Sequence, residues 1–495
     1  MQELKDQVFP DGELDEAVEL GAVTDRSVRV WVRHPGGEQM PVRLEVDGHE
    51  AVGGVASVSA DSDWTGAVEL ILPNAAPDRP FAVLASGRRL TGQFAPSAGT
   101  HDSFAFGFGS CHWPFTAGPD GRVRLRDVAS IYPAIQSELS AADARFLLLI
   151  GDQIYADGLP SISVRDNLPG DEEHPPPLEL ATRAYRHVTR GYFGESGFRR
   201  LRETFPTLCM WDDHDIFQDW GSRLKESPLD RLLFQAASRV FVEYQHQRNP
   251  ADLASGDEPP YSFFYQFGTA GFLVLDIRGK RDYTDGRLLG REQWEMVQTF
   301  FKSEEARALH TLFVVASVPI AHVSRWMVEA FQRLPWERAD DVRDRWCARA
   351  FVASRDEFLD QLFTWQTGEK HRQAIVLSGD VHAASAFTIR NRRRPGVVRQ
   401  FTSSAFTSPL VGMTRYLNWL GTRAPNLFEP RLRFRRHFVT LENNYGLVRL
   451  EALPAGGHRI EFNVRAWHPR QRRLKPGGHV VVAPEGMRAA EPGVV

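Results

Sequence analysis

Long apolar runs are missing from this 495-residue chain, and cysteine is scarce. No apolar stretch approaches the ~18 residues of a membrane-spanning helix, which excludes the helical membrane classes. The three cysteines, Cys111, Cys209 and Cys347, are too few and of the wrong parity for a disulfide framework, and they suit a reducing compartment. The opening, MQELKDQVFPDGELDEAVEL, has neither the apolar core of a signal peptide nor a twin arginine. A cytoplasmic protein is expected, or a periplasmic or secreted one if a leader has been removed. An excess of one charge is missing too. The 59 basic and 63 acidic residues leave a net charge of −4, with a pI near 6.5. That balance argues against nucleic acid or a membrane surface as the main partner. Basic runs at Arg392–Arg394, Arg431–Arg436 and Arg470–Lys475 are read as solvated faces or loops. No internal repeat recurs at a fixed period, and nothing specifies an oligomeric state.

What is there is ordinary globular material, 42% hydrophobic and 25% charged. Residues 1–98 read as a small N-terminal β-sandwich. SVRVWVRH and PVRLEVDG alternate apolar and polar residues, AVELILP and FAVLASG continue the pattern, and Gly, Pro and Asp mark the breaks. APSAG (95–99) reads as a linker. Residues 99–470 read as an α/β layered domain. Nearly unbroken apolar runs, FAFGFGSC, FLLLIGD, TLCMWDD, FLVLDIR, TLFVVAS and AIVLSGD, suit strands buried on both faces. Helices are expected between them, over 124–141, 180–203, 228–248, 291–307 and 339–366. FVTLENNYGLVRLEAL and HRIEFNVRAW return to strand alternation, and 471–495 reads as a poorly ordered tail.

The polar chemistry sits where these runs end. GSCH offers Cys111 and His112. GDQIYAD offers Asp152, Tyr155 and Asp157. WDDHD offers Asp212, Asp213, His214 and Asp215. SGDVH offers Asp380 and His382. Open α/β sheets bind ligands beyond the carboxyl ends of their strands, so one converging site is expected. Singly each residue has a plainer reading: Asp as a turn or N-cap residue, Cys111 as a small buried hydrophobe. Four such strand ends together point to metal. Carboxylate with imidazole suits Fe, Mn, Zn or Co, and oxygen alone suits Ca or Mg. So many carboxylates call for more than one cation. Two ions ~3.5–4 Å apart are the usual device for phosphate-ester hydrolysis, because they polarise the phosphoryl oxygens and lower the pKa of a bridging water. LDIRGKR adds Asp276, Arg278 and Arg281. A guanidinium fits a tetrahedral oxyanion, and pairing with a nearby aspartate is the other reading of Arg278. Tyr185 and Arg186 sit on a candidate helix. The loop before it, RDNLPGDEEHPPPLE (165–179), reads as a lid or as a disordered excursion.

The set GSC, GDQIYAD, WDDHD, LDIR and SGDVH, behind a strand region containing VRVWVR, resembles the PhoD-like alkaline phosphatases and phosphodiesterases of the calcineurin-like metallophosphoesterase superfamily. The resemblance spans about residues 15–465. It implies a β-sandwich followed by a four-layer α-β-β-α metallophosphoesterase domain. It also implies a metal-dependent phosphoester hydrolase whose metal-bridging hydroxide attacks phosphorus in line. The implied metal ligands are Cys111 as a thiolate on ferric iron, Asp152 as the bridge, Tyr185 as a phenolate (or Tyr155), Asp213, Asp380 and His382. His214 is implied to assist the leaving group, and Arg278 to help hold the phosphate. The implied centre is Fe(3+) with Ca(2+), with Mn, Zn, Co or Mg as other possibilities, and the implied substrate is a small phosphoester. The exported bacterial members carry a twin-arginine leader, and their motif after WDDH tends towards an Asn pair. Here DIFQDWG follows, closer to the DDHDIxDGxGS pattern of a branch also found in fungi, which Asp215, Asp219 and Gly221 match. His322 reads as a substrate-side or structural histidine. The rival reading is a non-catalytic metal-binding or sensor protein with the β-sandwich as its interaction surface.

Overall fold

The computed structural model describes residues 9–484, apart from 223–225, 251–257, 332–342, 409, 411, 424 and 428. Its N-terminal part is the expected sandwich. Strands Ala17–Val23, Ser27–Arg33 and Thr65–Ile71 form one sheet. His49–Ser57, Gln39–Val46, Pro80–Ala85 and Arg88–Gln93 form the other. Alternation decides which side chains meet: Met40, Val42 and Leu44 point inward on to Val28, Val30 and Val32. Trp31 lies in a different core, that of the larger domain, and donates to the Glu243 carbonyl at 2.8 Å. Residues 9–14 also belong outside the sandwich. Phe9 and Leu14 pack in the core of the larger domain, and Phe9 lies against Gly191.

Two sheets form the centre of the larger domain. The six-stranded sheet runs Thr207–Met210, Ala144–Ile150, Phe104–Gly109, Asn444–Ala452, His458–His468, Arg473–Val482. The seven-stranded sheet runs Phe263–Phe267, Ala270–Val274, Thr311–Val315, Gln373–Ser378, Val398–Thr402, Ala384–Asn391, Leu432–Thr440. They meet face to face through aromatic pairs such as Phe106 with Phe272 at 5.2 Å and Phe401 with Phe462 at 4.6 Å. Helix Ile131–Ala141 covers the first sheet through Ile135 and Leu139. Helix Val352–Thr367 covers the second through Phe358, Leu359, Leu362 and Phe363. The four layers are helix, sheet, sheet, helix.

Several details depart from the sequence reading. The helix expected over 124–141 is Ile131–Ala141, and that expected over 291–307 is Arg291–Phe300 and Glu304–Ala308. The helix expected over 180–203 is two helices, Leu178–Gly194 and Ser196–Thr204. Glu195 breaks the run with ψ 123 and caps the second helix by accepting from the Gly197 and Phe198 amides. Of the helix expected over 339–366, residues 339–342 lie outside the described residues, 343–351 are mostly turns, and the helix is Val352–Thr367. The stretch read as a tail from 471 is instead strand Arg473–Val482, paired antiparallel with His458–His468. Its Pro476, Gly477 and Gly478 are tolerated because it is an edge strand, and Gly478 leaves room for Phe438. Residues 485–495 lie outside the described residues.

Candidate metal centre

Parallel strands bring the candidate ligands to one edge. Phe104–Gly109, Ala144–Ile150 and Thr207–Met210 are parallel neighbours, as are Ala270–Val274, Thr311–Val315, Gln373–Ser378 and Val398–Thr402. Each exit is a sharp turn. Cys111, Asp152, Asp380 and His382 have φ of 60°, 56°, 61° and 52°. A non-glycine residue in that left-handed region costs about 1–3 kcal/mol and clusters at functional sites. Glycine precedes two of them: Gly151 lies against the Asp212 side chain and Gly379 against Ser110. A Cβ at either would push the strand ends apart.

Three groups of ligand atoms converge, each within 4.8 Å: Cys111, Asp152 and His382; Asp152, Asp213 and His214; Asp212, Asp213 and Asp380. Asp152 is common to the first two and Asp213 to the last two. Cys111 Sγ lies 3.1 Å from Asp152 Oδ2 and 3.1 Å from Ser404 Oγ. His214 Nδ1 lies 2.7 Å from Asp157 Oδ1. Asp215, left by the sequence reading as a loop former, ties two strand ends together. Its Oδ2 accepts from the Asp152 amide at 2.8 Å and the Asp212 amide at 2.9 Å. The Asp219 amide likewise donates to Asp213 Oδ2 at 2.7 Å.

The electrostatics are those of a site built around positive charge. Burial, aggravated by Asp212, Asp213 and Asp215, pushes the Asp152 carboxyl well above the usual range, against the pull of His214. Burial likewise lifts Asp212 to about 6, Asp215 to about 7 and Asp380 to about 8. Burial and the Asp152 charge push the Cys111 thiol up. Burial alone would lower His214, but Asp157 and Asp213 outweigh it and raise it well above its ordinary value. Among the described residues, Asp212 Oδ2 is buried with no hydrogen-bond partner, and Asp213 Oδ1 makes no hydrogen bond but lies 3.4 Å from Arg278 Nη2. Such a group is costly unless something compensates it. A thiol, several carboxylates and two imidazoles with unfilled oxygens between them fit a pair of cations.

Several expected site residues lie elsewhere. Tyr185, on helix Leu178–Gly194, is buried and donates its hydroxyl to the Ile216 carbonyl. It belongs to none of the three groups. Tyr155 does approach them, with its hydroxyl 3.3 Å from both Asp152 Oδ2 and His382 Nε2 and its ring stacked on His214. Arg278 is turned inward to carboxylates. It is fully buried, pairs with Asp212, forks on to Asp344 at 2.5 and 3.0 Å, and lies 3.4 Å from Asp213. Arg281 also turns to Asp344. His112 is held by Tyr132 and the Tyr192 carbonyl, and Arg186 by Glu243. His322 is buried and in none of the groups. Loop 165–179 is tethered through Arg165, 2.7 Å from Asp230.

The sequence reading missed Asp344 and Arg345. Both fall inside the stretch expected to be helical, where a charged pair reads as a solvated face. Asp344 is the counter-ion that buries Arg278. Arg345 pairs with Asp380 Oδ2 and keeps a partly exposed side chain.

Residues 126–452 match the PhoD-like phosphatase family. The chain belongs to that family. Membership makes this PhoD-like protein a metal-dependent phosphoester hydrolase with a dinuclear metal centre. The structure of PhoD matches with a TM-score of 0.67 at 15% identity, over 95% of this chain and 92% of that one. A purple acid phosphatase, PPD1 from seeds of yellow lupin (Lupinus luteus), matches with a TM-score of 0.55 at 12% identity, over 95% of this chain and 74% of that one. At those identities the two likenesses establish the fold. No curated protein sequence matches the chain. Among the described residues of this PhoD-like chain, no helix is long and apolar enough to cross a membrane.

Proposed function

We propose that the Cys111–Asp152–Asp213–Asp380–His382 cluster is the catalytic centre of a phosphomonoesterase or phosphodiesterase acting on small phosphoesters. The observation that carries this reading is the sharing of Asp152 between two ligand groups, the arrangement a bridging carboxylate requires. Cys111, Asp152 and His382, with Tyr155 beside them, would hold one cation. Asp152 and Asp213, with Asp380 opposite, would hold the other. Bound cations supply Lewis-acid polarisation of the phosphoryl oxygens and a water made acidic near neutral pH.

The donor chemistry favours ferric iron for the first position and calcium for the second, with Mn, Zn, Co or Mg as alternatives in the centre. A thiol this buried becomes a thiolate only beside a cation, and thiolate with phenolate suits iron. The Asp213 and Asp380 side is richer in oxygen and suits a harder ion. Visible absorption tests the tyrosine. Tyr155→Phe should lose or shift the charge-transfer band of the purified protein, and Tyr185→Phe should keep it. The opposite pattern would return the phenolate role to Tyr185.

His214 is the proton donor in this proposal. Asp157 takes its Nδ1–H, which leaves Nε2 to hold a proton for the departing oxygen. Arg345, next to Asp380, is placed to pair with a phosphoryl oxygen, the role first expected of Arg278. His214→Ala should slow an alkyl phosphate by about 10²–10⁴-fold and p-nitrophenyl phosphate much less, because p-nitrophenolate leaves without a proton. Equal losses on both esters would mean that the substitution disrupts the centre rather than removing a donor.

A further inference from the structure

Residues 403–408 follow strand Val398–Thr402 of the seven-stranded sheet and lie along the turn at Ser110 and Cys111, which leaves the six-stranded one. The Phe406 amide donates to the Ser110 carbonyl at 2.9 Å, and the Thr407 and Ser408 amides both donate to the Cys111 carbonyl at 3.3 Å. Asn444, fully buried, locks this segment from behind. Its Oδ1 accepts from Ser403 Oγ at 3.0 Å, and its Nδ2 donates to the Ser404 carbonyl. Ser404, itself fully buried, is held beside the Cys111 sulfur.

The direction of its hydrogen bonds follows from their partners. Ser404 Oγ accepts from the His382 amide at 3.1 Å and lies 3.1 Å from Cys111 Sγ. A serine hydroxyl carries one proton, and the amide, a donor, cannot take it. The sulfur can. Ser110 Oγ lies 3.3 Å from the same sulfur, in space that Gly379 leaves open by having no side chain. A thiolate beside a cation has no proton of its own, so both hydroxyls then donate to it. A merely structural thiol needs neither donor, since buried cysteine packs as a small hydrophobe. Hydrogen bonds to a metal-bound sulfur draw off part of its charge and tune the electronic properties of the site. We propose that Ser404, together with Ser110, is a positioning residue that sets the charge on the Cys111 sulfur, and so how strongly that sulfur donates to a bound cation. This rests on the reading of Cys111 as a metal ligand.

Absorption spectra of the full chain, chelated and reloaded with cobalt(II), test this. Wild type should show a sulfur-to-cobalt charge-transfer band that Cys111→Ser removes. Ser404→Ala should move that band to longer wavelength, because a sulfur that loses a hydrogen bond holds its electrons less tightly. Ser110→Ala should move it the same way, and S110A/S404A further than either. Ser403→Ala is the control for a disturbed backbone. It removes a hydroxyl of the same segment that bonds Asn444 rather than the sulfur, and the band should stay where it is. Should Ser404→Ala take up no cobalt, Ser110→Ala carries the test by itself. A band that Cys111→Ser abolishes but that neither Ser404→Ala nor Ser110→Ala moves would overturn the proposal, as would an equal shift in Ser403→Ala. A band that survives Cys111→Ser would instead refute Cys111 as a ligand, the reading beneath the proposal.

Discussion

Asp152→Asn should lower phosphoester hydrolysis by about 10²–10³-fold or more and at the same time stabilise the metal-free protein. Both effects come from one placement. Asp152 contributes to two of the three ligand groups, so losing its charge weakens both cation positions together. Without cations the same carboxylate is a liability, buried among Asp212, Asp213 and Asp215. Asparagine keeps its shape and removes its charge. The sign of the pH dependence follows from the same shifts. A carboxyl whose folded pKa is raised destabilises the fold as pH climbs through and above its unfolded value, near 4. Folded values of about 6, 7 and 8 for Asp212, Asp215 and Asp380 set the window. The melting temperature of the chelated protein should fall between about pH 4 and pH 8. That of the metal-loaded protein should hold better across the same range. Thermal unfolding of wild type and Asp152→Asn, with and without chelator, measures both effects. A less stable metal-free Asp152→Asn would contradict this electrostatic picture.

Glu19→Ala should cost about 3–5 kcal/mol of stability, measured by denaturant unfolding. Glu19 lies on sandwich strand Ala17–Val23 and is fully buried between two fully buried arginines. Arg202, from helix Ser196–Thr204, reaches it at 3.2 and 3.3 Å, and Arg248 pairs with it from the other side. Aromatic faces cover both cations. Arg202 lies 4.2 Å from the Phe193 ring centre and Arg248 lies 4.0 Å from that of Trp31. Removing the carboxylate leaves two buried charges facing each other with no counter-ion between them. Strand Ala17–Val23 also contacts strand Thr207–Met210, which leads into Asp212 and His214. The same substitution should therefore loosen the metal centre from behind. A loss below about 1 kcal/mol would mean that the triad is solvated rather than buried.

The strand-end chemistry was legible in the sequence because it rests on local signals. Buried parallel strands read as apolar runs, and a run that stops at Cys111, Asp152, Asp213 or Asp380 announces where those groups go. Arg278 shows where such signals stop. A strand-end arginine looks the same whether it faces a ligand or is buried by Asp344, which lies 66 residues away in the chain. The two tyrosines show the same limit. In sequence Tyr185 is the better match for the phenolate and Tyr155 the alternative, and the packing of helix Leu178–Gly194 turns Tyr185 to the Ile216 carbonyl. Asp344 and Arg345 were hidden because residues 339–366 read as one helix, where turns prevail around 344–351. Strand Arg473–Val482 was hidden because proline and glycine speak against a strand, yet an edge position tolerates both.

The most direct test combines metal content per chain with hydrolysis of p-nitrophenyl phosphate and its bis ester, for wild type and Asp152→Ala. Two metal ions per wild-type chain are expected, with hydrolysis abolished by chelator and restored by adding metal back, and with both metal and activity lost in Asp152→Ala. Wild-type hydrolysis that survives complete metal removal, or Asp152→Ala with full metal content and full activity, would contradict the account.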